Sequence, residues 1–378
     1  MSKLYVLATI CAAMMACEAK AQDLTVKIAL VGPLSGGLAH LGKDNEMGAR
    51  MAVDLLNKNG VLIGGKRASF ELVSEDDQGD PKQGTAVAQK LADAGVNGVI
   101  GHLNSGTSIP ASKIYSDAGI PQITPSATNP KFTRNGYKTT FRVVADDTQL
   151  GAALGRYAVV ELKGKSIAVI DDRTAYGQGV AEEFAKAVKV AGGSIVSQQY
   201  TTDKSTDFSA ILTAIKSRNA DVIFFGGMDA VAGPMIRQMK QLGINAKFVG
   251  GDGICTAELA KLAAGFYAEN QIVCAEAGGV EGEQRVAMDE FRRSFKSRYG
   301  VDVQLYAPYV FDAINVMVDS MTKAGSSEPQ KYLPALASNS FKGVTGVIAF
   351  DAKGDIRNGA LTLFTYSGGK REQLAVVR

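Results

Sequence analysis

An α/β fold of two lobes, each built on a doubly wound and mostly parallel sheet, is the class that this sequence predicts. Three observations point to it. Short β-branched runs alternate with amphipathic helical stretches, as strands and their covering helices do in parallel sheets. The alternation runs through one series, then restarts and runs again. The chain has 378 residues, more than one hydrophobic core comfortably serves, and its 42 glycines suit many strand-to-helix turns.

The first 21 residues stand apart. Lys3 precedes an apolar run over 4–16, and Ala19-Lys20-Ala21 forms a small-x-small site before Gln22, the pattern of a secretory signal peptide cut after Ala21. A lipoprotein reading at Cys17 is weaker, because Met14 stands where a bulky aliphatic is usual. The first series of the mature chain starts with a strand at 26–31. A helix at 45–58 follows, with Met47, Met51 and Leu55 spaced by four and Gly60 past its end. Next come a strand at 70–74 and a helix capped by Asp80 with Pro81 at its first position, whose buried face carries Val87 and Leu91. Strands at 96–100 and 122–124, with a helix at 109–118 between them, complete the series, and the rhythm restarts after Phe141-Arg142-Val143. The second series predicts helices at 148–162, 179–191, 208–217 and 231–242, alternating with strands at 166–171, 195–200, 222–225 and 247–250. Helices at 283–299 and 308–323 then lead to strands at 347–350 and 361–366.

Composition narrows the function. Without residues 1–21 the chain keeps 357 residues, 39 basic and 37 acidic, because Lys3, Lys20 and Glu18 leave with the peptide. So even a balance excludes the basic surface expected for nucleic-acid binding. No later stretch reaches the roughly 20 apolar residues of a membrane span, so the mature protein is expected to be soluble and periplasmic. Of four cysteines, Cys255 and Cys274 remain, and in an oxidising compartment they are expected to pair, the alternative being two separate buried thiols. The two histidines, His40 and His102, and the absence of CxxC spacing argue against a metal site. Without a triad spacing they read as structural, and no P-loop or dinucleotide fingerprint occurs, so neither catalysis nor a cofactor is expected.

The richest motif is Ile100-Gly101-His102-Leu103-Asn104-Ser105-Gly106-Thr107-Ser108, echoed by Ile123-Thr124-Pro125-Ser126-Ala127-Thr128. Each is an apolar strand running into hydroxyls, and the first opens into a helix. Backbone N–H groups at a helix start and neutral hydroxyl donors suit a small anion such as a carboxylate. The plainer alternative is that Ser105 and Thr128 only cap helices. In open parallel sheets, ligands sit beyond the carboxyl ends of the strands. The qualifying loops are 32–41, 101–107 and 125–128 from one lobe, and 172–176, 226–229 and 251–255 from the other. The last carries Asp252 between two glycines, which as a solvated turn residue would need no ligand.

Several segments together carry a family resemblance over essentially the whole mature chain. They are Gly32-Pro33-Leu34-Ser35-Gly36, Asp76-Asp77 with Asp80-Pro81-Lys82-Gln83, Ile100-Gly101-His102-Leu103, Ile123-Thr124-Pro125, Tyr176-Gly177-Gln178-Gly179 and Phe350-Asp351-Ala352-Lys353-Gly354-Asp355. The chain resembles the leucine/isoleucine/valine-binding proteins, the periplasmic receptors of branched-chain amino acid ABC importers. The resemblance implies a type I binding-protein fold whose lobes close about a three-strand hinge near Val143, Ala277 and Thr345. Residues 22–143 with 277–345 would form lobe 1, and 144–276 with 346–378 lobe 2. It further implies that Ser105 and Thr128 hold the ligand carboxylate, and that the Ser126 carbonyl and Asp252 take the α-ammonium. Tyr176 would approach from the second lobe, with Leu41, Met228 and Phe311 around the side chain. Met228 replaces a frequent tyrosine, Asp252 a glutamate and Leu41 an aromatic, while Gln78 and Asn104 stand at the family's first-lobe disulfide. The implied partners are a small neutral amino acid and, transiently, an ABC permease, with the receptor acting as a monomer. A second reading keeps the fold but assigns it to sensing amides, γ-aminobutyrate, or aromatic or short organic acids.

Overall fold

The computed structural model describes residues 24–377, so the predicted signal peptide lies outside the described residues. In chain order the first part comprises β1 (Leu24–Gly32), α1 (Ala39–Asn59), β2 (Leu62–Ile63), β3 (Lys66–Asp76), α2 (Pro81–Asp93), β4 (Gly98–Gly101), α3 (Ser105–Asp117), β5 (Gln122–Thr124), α4 (Lys131–Arg134) and β6 (Thr140–Arg142). Next follow α5 (Asp147–Val160), β7 (Ser166–Asp171), α6 (Ala175–Val190), β8 (Ser194–Tyr200), α7 (Ser209–Lys216), β9 (Val222–Gly226), α8 (Asp229–Gln241), β10 (Lys247–Gly250), α9 (Leu259–Leu262) and β11 (Ile272–Glu276). The chain ends with α10 (Glu283–Tyr299), α11 (Ala307–Ala324), α12 (Pro329–Ala337), β12 (Ser340–Lys342), β13 (Val347–Ala349), β14 (Leu361–Ser367) and β15 (Lys370–Val377).

Two sheets result, ordered β2-β3-β1-β4-β5-β6 and β15-β14-β11-β10-β9-β7-β8, with β12-β13 as a separate ribbon. The first is parallel except for the β2-β3 hairpin. In the second, β14 and β15 add antiparallel strands to a parallel core. Alternation along a strand assigns its two faces. On β1, Ala29 and Val31 meet Val87, Leu91 and Tyr115 of α2 and α3, whereas Ile28 and Leu30 belong with Ala52 of α1 and Ile314 of α11. On β7, Ile167 and Val169 face Leu154 and Phe184 of α5 and α6, while Ala168 and Ile170 face Leu212 and Met235. Both sheets are thus covered on both faces, which is why their central strands read as near-continuous apolar runs.

Residues 143–145 run beside 277–279, Ala145 N–H donating to the Ala277 carbonyl at 3.3 Å. With Gly346, Val347 and residues 356–360 these segments line a cavity of about 290 Å³. Phe350 packs on Phe141, and Arg142 N–H donates to the Gly354 carbonyl, so the stretch after β13 returns to the first sheet before β14 joins the second.

Most expected elements form with shifted ends. The helix expected from Ile109 begins at Ser105, and the strand expected at 347–350 ends at Ala349 and pairs with β12 alone. The elements β2, α4, α9, β11, α12, β12 and β15 have no counterpart in the sequence expectation. Cys255 and Cys274 form a disulfide that ties the turn after β10 to β11.

Candidate functional site

The hydroxyl-rich turns lie together at the carboxyl ends of β4 and β5 and hold one another in place. Gly101 ends β4 at φ 127°, where a Cβ would sit 2.3 Å from the Val31 carbonyl oxygen, so only glycine fits. The His102 carbonyl then accepts from Ser108 Oγ and Thr124 Oγ1, each at 3.0 Å, and Ser126 Oγ donates to the Leu103 carbonyl at 2.9 Å. The His102 ring is buried between Asp77, 2.8 Å from Nδ1, and the Tyr115 hydroxyl, 3.1 Å from Nε2. From below, the fully buried Arg142 guanidinium donates to the carbonyls of Ala127 and Asn129 at 3.0 and 2.9 Å and pairs with Asp355.

Ser105 is not the helix cap. Asn104 holds that position, and Ser105 Oγ instead accepts from the Asn129 N–H at 3.2 Å. The Thr128 hydroxyl is buried and makes no hydrogen bond of good geometry among the described residues, although Asp147 lies beside it. A buried polar atom left in that condition is costly unless something else meets it.

The facing wall comes from the second sheet. Asp252 lies in a short 3-10 turn after β10, and its Oδ1 accepts from the Tyr176 hydroxyl at 2.8 Å. That hydroxyl in turn accepts the Gly253 N–H at 3.0 Å. A Cβ at Gly251 would lie 2.5 Å from the same hydroxyl, so a side chain there would displace the tyrosine. Asp252 is therefore a buried, bonded group and not a solvated turn residue.

Asp252 also reaches across the cleft: Oδ2 accepts from the Tyr306 hydroxyl at 2.7 Å. Tyr306 caps the start of α11, and its own N–H donates to Asp44 of α1 at 3.0 Å. Asp44 also takes the N–H groups of Gln304, Leu305 and Ala307, at 2.9, 3.2 and 2.9 Å. A second cross-cleft bond joins Asn129 Nδ2 to the Ala175 carbonyl at 2.6 Å.

The structure brings Ser105, Ser126, Tyr176, Met228 and Asp252 to one cavity, together with Leu103, Asn104 and Tyr306. The lobes are nearly shut on it, leaving a cavity of about 10 Å³, room for about one water molecule. Thr128 does not line this cavity and lies beside Asp147, whose N–H donates to the Thr128 carbonyl at 2.9 Å. Leu41 and Phe311 do not line the cavity. Leu41 is wholly buried in the core near the start of α1. Phe311 lies five residues beyond Tyr306 on α11, about 140° further round the helix, and packs edge-on against Phe291 of α10 with ring centroids 5.2 Å apart. Of the aromatics at the start of α11, Tyr306 lines the cavity and Phe311 does not, and sequence reading offers no signal for Tyr306.

Burial raises the Asp252 carboxyl to about 6, and the two tyrosine bonds restrain that rise. The Tyr176 and Tyr306 hydroxyls are pushed well above their ordinary value by burial and by the Asp252 charge. They remain neutral donors. Asp147 is fully buried and neither of its oxygens has good hydrogen-bond geometry to any described residue. Burial first, then the nearby Asp252 charge, holds it well above the carboxylate range, against the pull of Thr128 and Arg142. One side of the site is thus acidic and the other is a set of neutral donors, an arrangement suited to a zwitterion. Among the described residues there is no cluster of metal-ligating side chains.

Residues 25–370 match the family described as periplasmic binding protein. The chain belongs to that family. A Pseudomonas aeruginosa leucine-, isoleucine-, valine-, threonine- and alanine-binding protein is 34% identical over 342 residues, 90% of each chain. A Leu/Ile/Val-binding protein homolog of Brucella abortus is 35% identical over 348 residues, 92% of this chain and 91% of its own. Among solved structures, the branched-chain amino acid transporter substrate-binding protein of Streptococcus pneumoniae, in complex with isoleucine, superposes with a TM-score of 0.84 at 28% identity. It covers 94% of this chain and 99% of its own. The binding-protein fold, with two lobes and a cleft between them, matches the architecture expected from the sequence. No helix among the described residues of this binding protein is long and apolar enough to cross a membrane.

Proposed function

We propose that this binding protein is a periplasmic receptor that closes on a small neutral amino acid, leucine, isoleucine or valine, and delivers it to an ABC permease. Asp252 carries the reading. A buried carboxylate facing neutral hydroxyl and amide donors pairs with the ammonium of an amino acid and repels a simple organic acid. In this reading Ser105 and Thr128 take the ligand carboxylate, and Asp252 with the Ser126 carbonyl takes the ammonium. Tyr176 and Tyr306 hold Asp252, while Leu103 and Met228 meet the aliphatic side chain.

Closure would follow a hinge. Residues 22–143 with 277–345 then form one lobe, and 144–276 with 346–378 the other, except that 350–357 stay with the first sheet. In this reading the third crossing comes after Arg357 and not near Thr345. The mature receptor is a monomer that begins at Gln22, once the signal peptide has directed it to the periplasm. It works without a cofactor and without catalysing a reaction.

The test is a thermal-shift panel of the neutral amino acids, γ-aminobutyrate and benzoate. A ligand at 100 times its dissociation constant adds about 2.7 kcal/mol. Leucine, isoleucine or valine should give the largest shift. A larger shift with benzoate would favour a sensor of organic acids, and a larger shift with γ-aminobutyrate a sensor of that zwitterion.

A further inference from the structure

The cleft is bridged a third time, away from the ligand cavity. His40, at the start of α1, places Nε2 2.8 Å from Oδ2 of Asp229, 189 residues on at the start of α8. Asp229 is fully buried, and the same oxygen accepts from Thr256 Oγ1 at 2.5 Å, while Oδ1 has no partner among the described residues. The His40 side chain keeps 21% of its exposure, so solvent protons reach it. A Cβ added at Gly37, just before α1, would lie 3.7 Å from the Ala230 Cβ, so the two element starts come close beside this pair. His40 thus sits on one lobe, and its acidic partner, next to Met228, sits on the other.

We propose that His40 and Asp229 form a proton-operated latch: imidazolium and carboxylate hold the lobes shut, and loss of the His40 proton weakens the closed state and with it ligand retention. This rests on the hinge-closure reading of the cleft. When the lobes part, Asp229 is left in its second-lobe pocket with Thr256 alone, and His40 returns to water. In the closed state burial lowers the His40 value, but the Asp229 hydrogen bond and charge, with Glu258 just before α9, outweigh it, and the net direction is upward from 6.5. Tyr366 also faces Asp229 and stays neutral. A histidine raised in the closed state contributes its closing free energy in full below its open-state value near 6.5. That contribution fades as pH rises through the closed-state value. Asp252 titrates in all variants alike, so comparing variants at each pH isolates the latch.

The experiment is calorimetric titration of leucine at pH 6 and pH 8 into the wild type, His40→Gln and Asp229→Asn. At pH 6 each variant should bind more weakly than wild type by roughly two- to tenfold, and at pH 8 that ratio should shrink toward one. A ratio that stays the same at both pH values overturns the latch. Small-angle scattering of the ligand-free protein gives a readout independent of ligand identity. The wild type should be more compact at pH 6 than at pH 8, and His40→Gln should show only the smaller change that Asp252 contributes to both, while an equal pH response in both overturns the proposal. If leucine does not bind, the amino acid reading fails, and the scattering comparison decides the latch by itself.

Discussion

Changing Asp252 to asparagine should weaken ligand binding and, at the same time, stabilise the empty protein. Asparagine keeps the shape and lets one tyrosine donate to its amide oxygen while its amide nitrogen donates to the other. What it removes is a buried charge. That carboxyl moves from 3.8 to about 6 on burial, about 2 units or roughly 3 kcal/mol at full burial. An acid raised in the fold binds its proton more tightly there than in the unfolded chain. The ligand-free fold therefore loses stability as pH climbs from 3.8 toward about 6, and the whole penalty stands above that. Asp252→Asn should raise the ligand-free Tm at pH 7.5, with the difference fading below about pH 4. Binding moves the other way. A ligand ammonium that loses its only anionic partner in a closed cleft costs about 2–4 kcal/mol, or roughly 30- to 1,000-fold in dissociation constant. Ser105→Ala removes one neutral hydrogen bond and should cost about 1 kcal/mol. Calorimetry with leucine on both variants separates the two effects. An affinity unchanged in Asp252→Asn, or reduced less than in Ser105→Ala, would refute the assignment of Asp252 to the ammonium.

Other substitutions probe the supports of the site. Tyr306→Phe removes the cross-cleft donor to Asp252, so the Asp252 carboxyl should rise further and the acid limb of leucine binding should move to higher pH. An identical pH profile would count against that contact. Asp44→Ala leaves the four N–H groups at the start of α11 without their acceptor and should destabilise the protein by roughly 2–4 kcal/mol in denaturant melts. Replacing Cys255 and Cys274 together by serine opens a crosslink of sequence separation 19. It should cost about 3 kcal/mol in the chain-entropy model, and because Asp252 is three residues from Cys255, some affinity as well. Equal Tm values with and without the crosslink would contradict this.

Much of the fold was legible because local chemistry and tertiary context agreed. Asp80 and Pro81 announce α2, and the structure shows the Asp80 carboxylate accepting from the Lys82 and Gln83 N–H groups at 2.9 and 3.0 Å. The misses have physical causes. The first turn of α3 is Ser-Gly-Thr-Ser, residues that favour loops until a pocket claims their hydroxyls. β11 is a short run with cysteine and alanine, β15 is an edge strand that opens on four polar residues, and α12 carries Pro329 and Pro334. At the site, the hydroxyl turns and Asp252 could be read because each is a local cluster beside glycine. Tyr306 could not, since its place in the cavity depends on Asp44, more than 250 residues away in sequence. His40 and Asp229 are hidden for the same reason: only the folded cleft brings them together.

The orientation of the bound ligand tests the central claim most directly. A crystal structure with leucine should place the ammonium within about 3 Å of an Asp252 carboxylate oxygen and the ligand carboxylate on Ser105 and Thr128. Its side chain should lie against Leu103 and Met228. A reversed ligand, or leucine bound with Asp252 still paired only to Tyr176 and Tyr306, would contradict it.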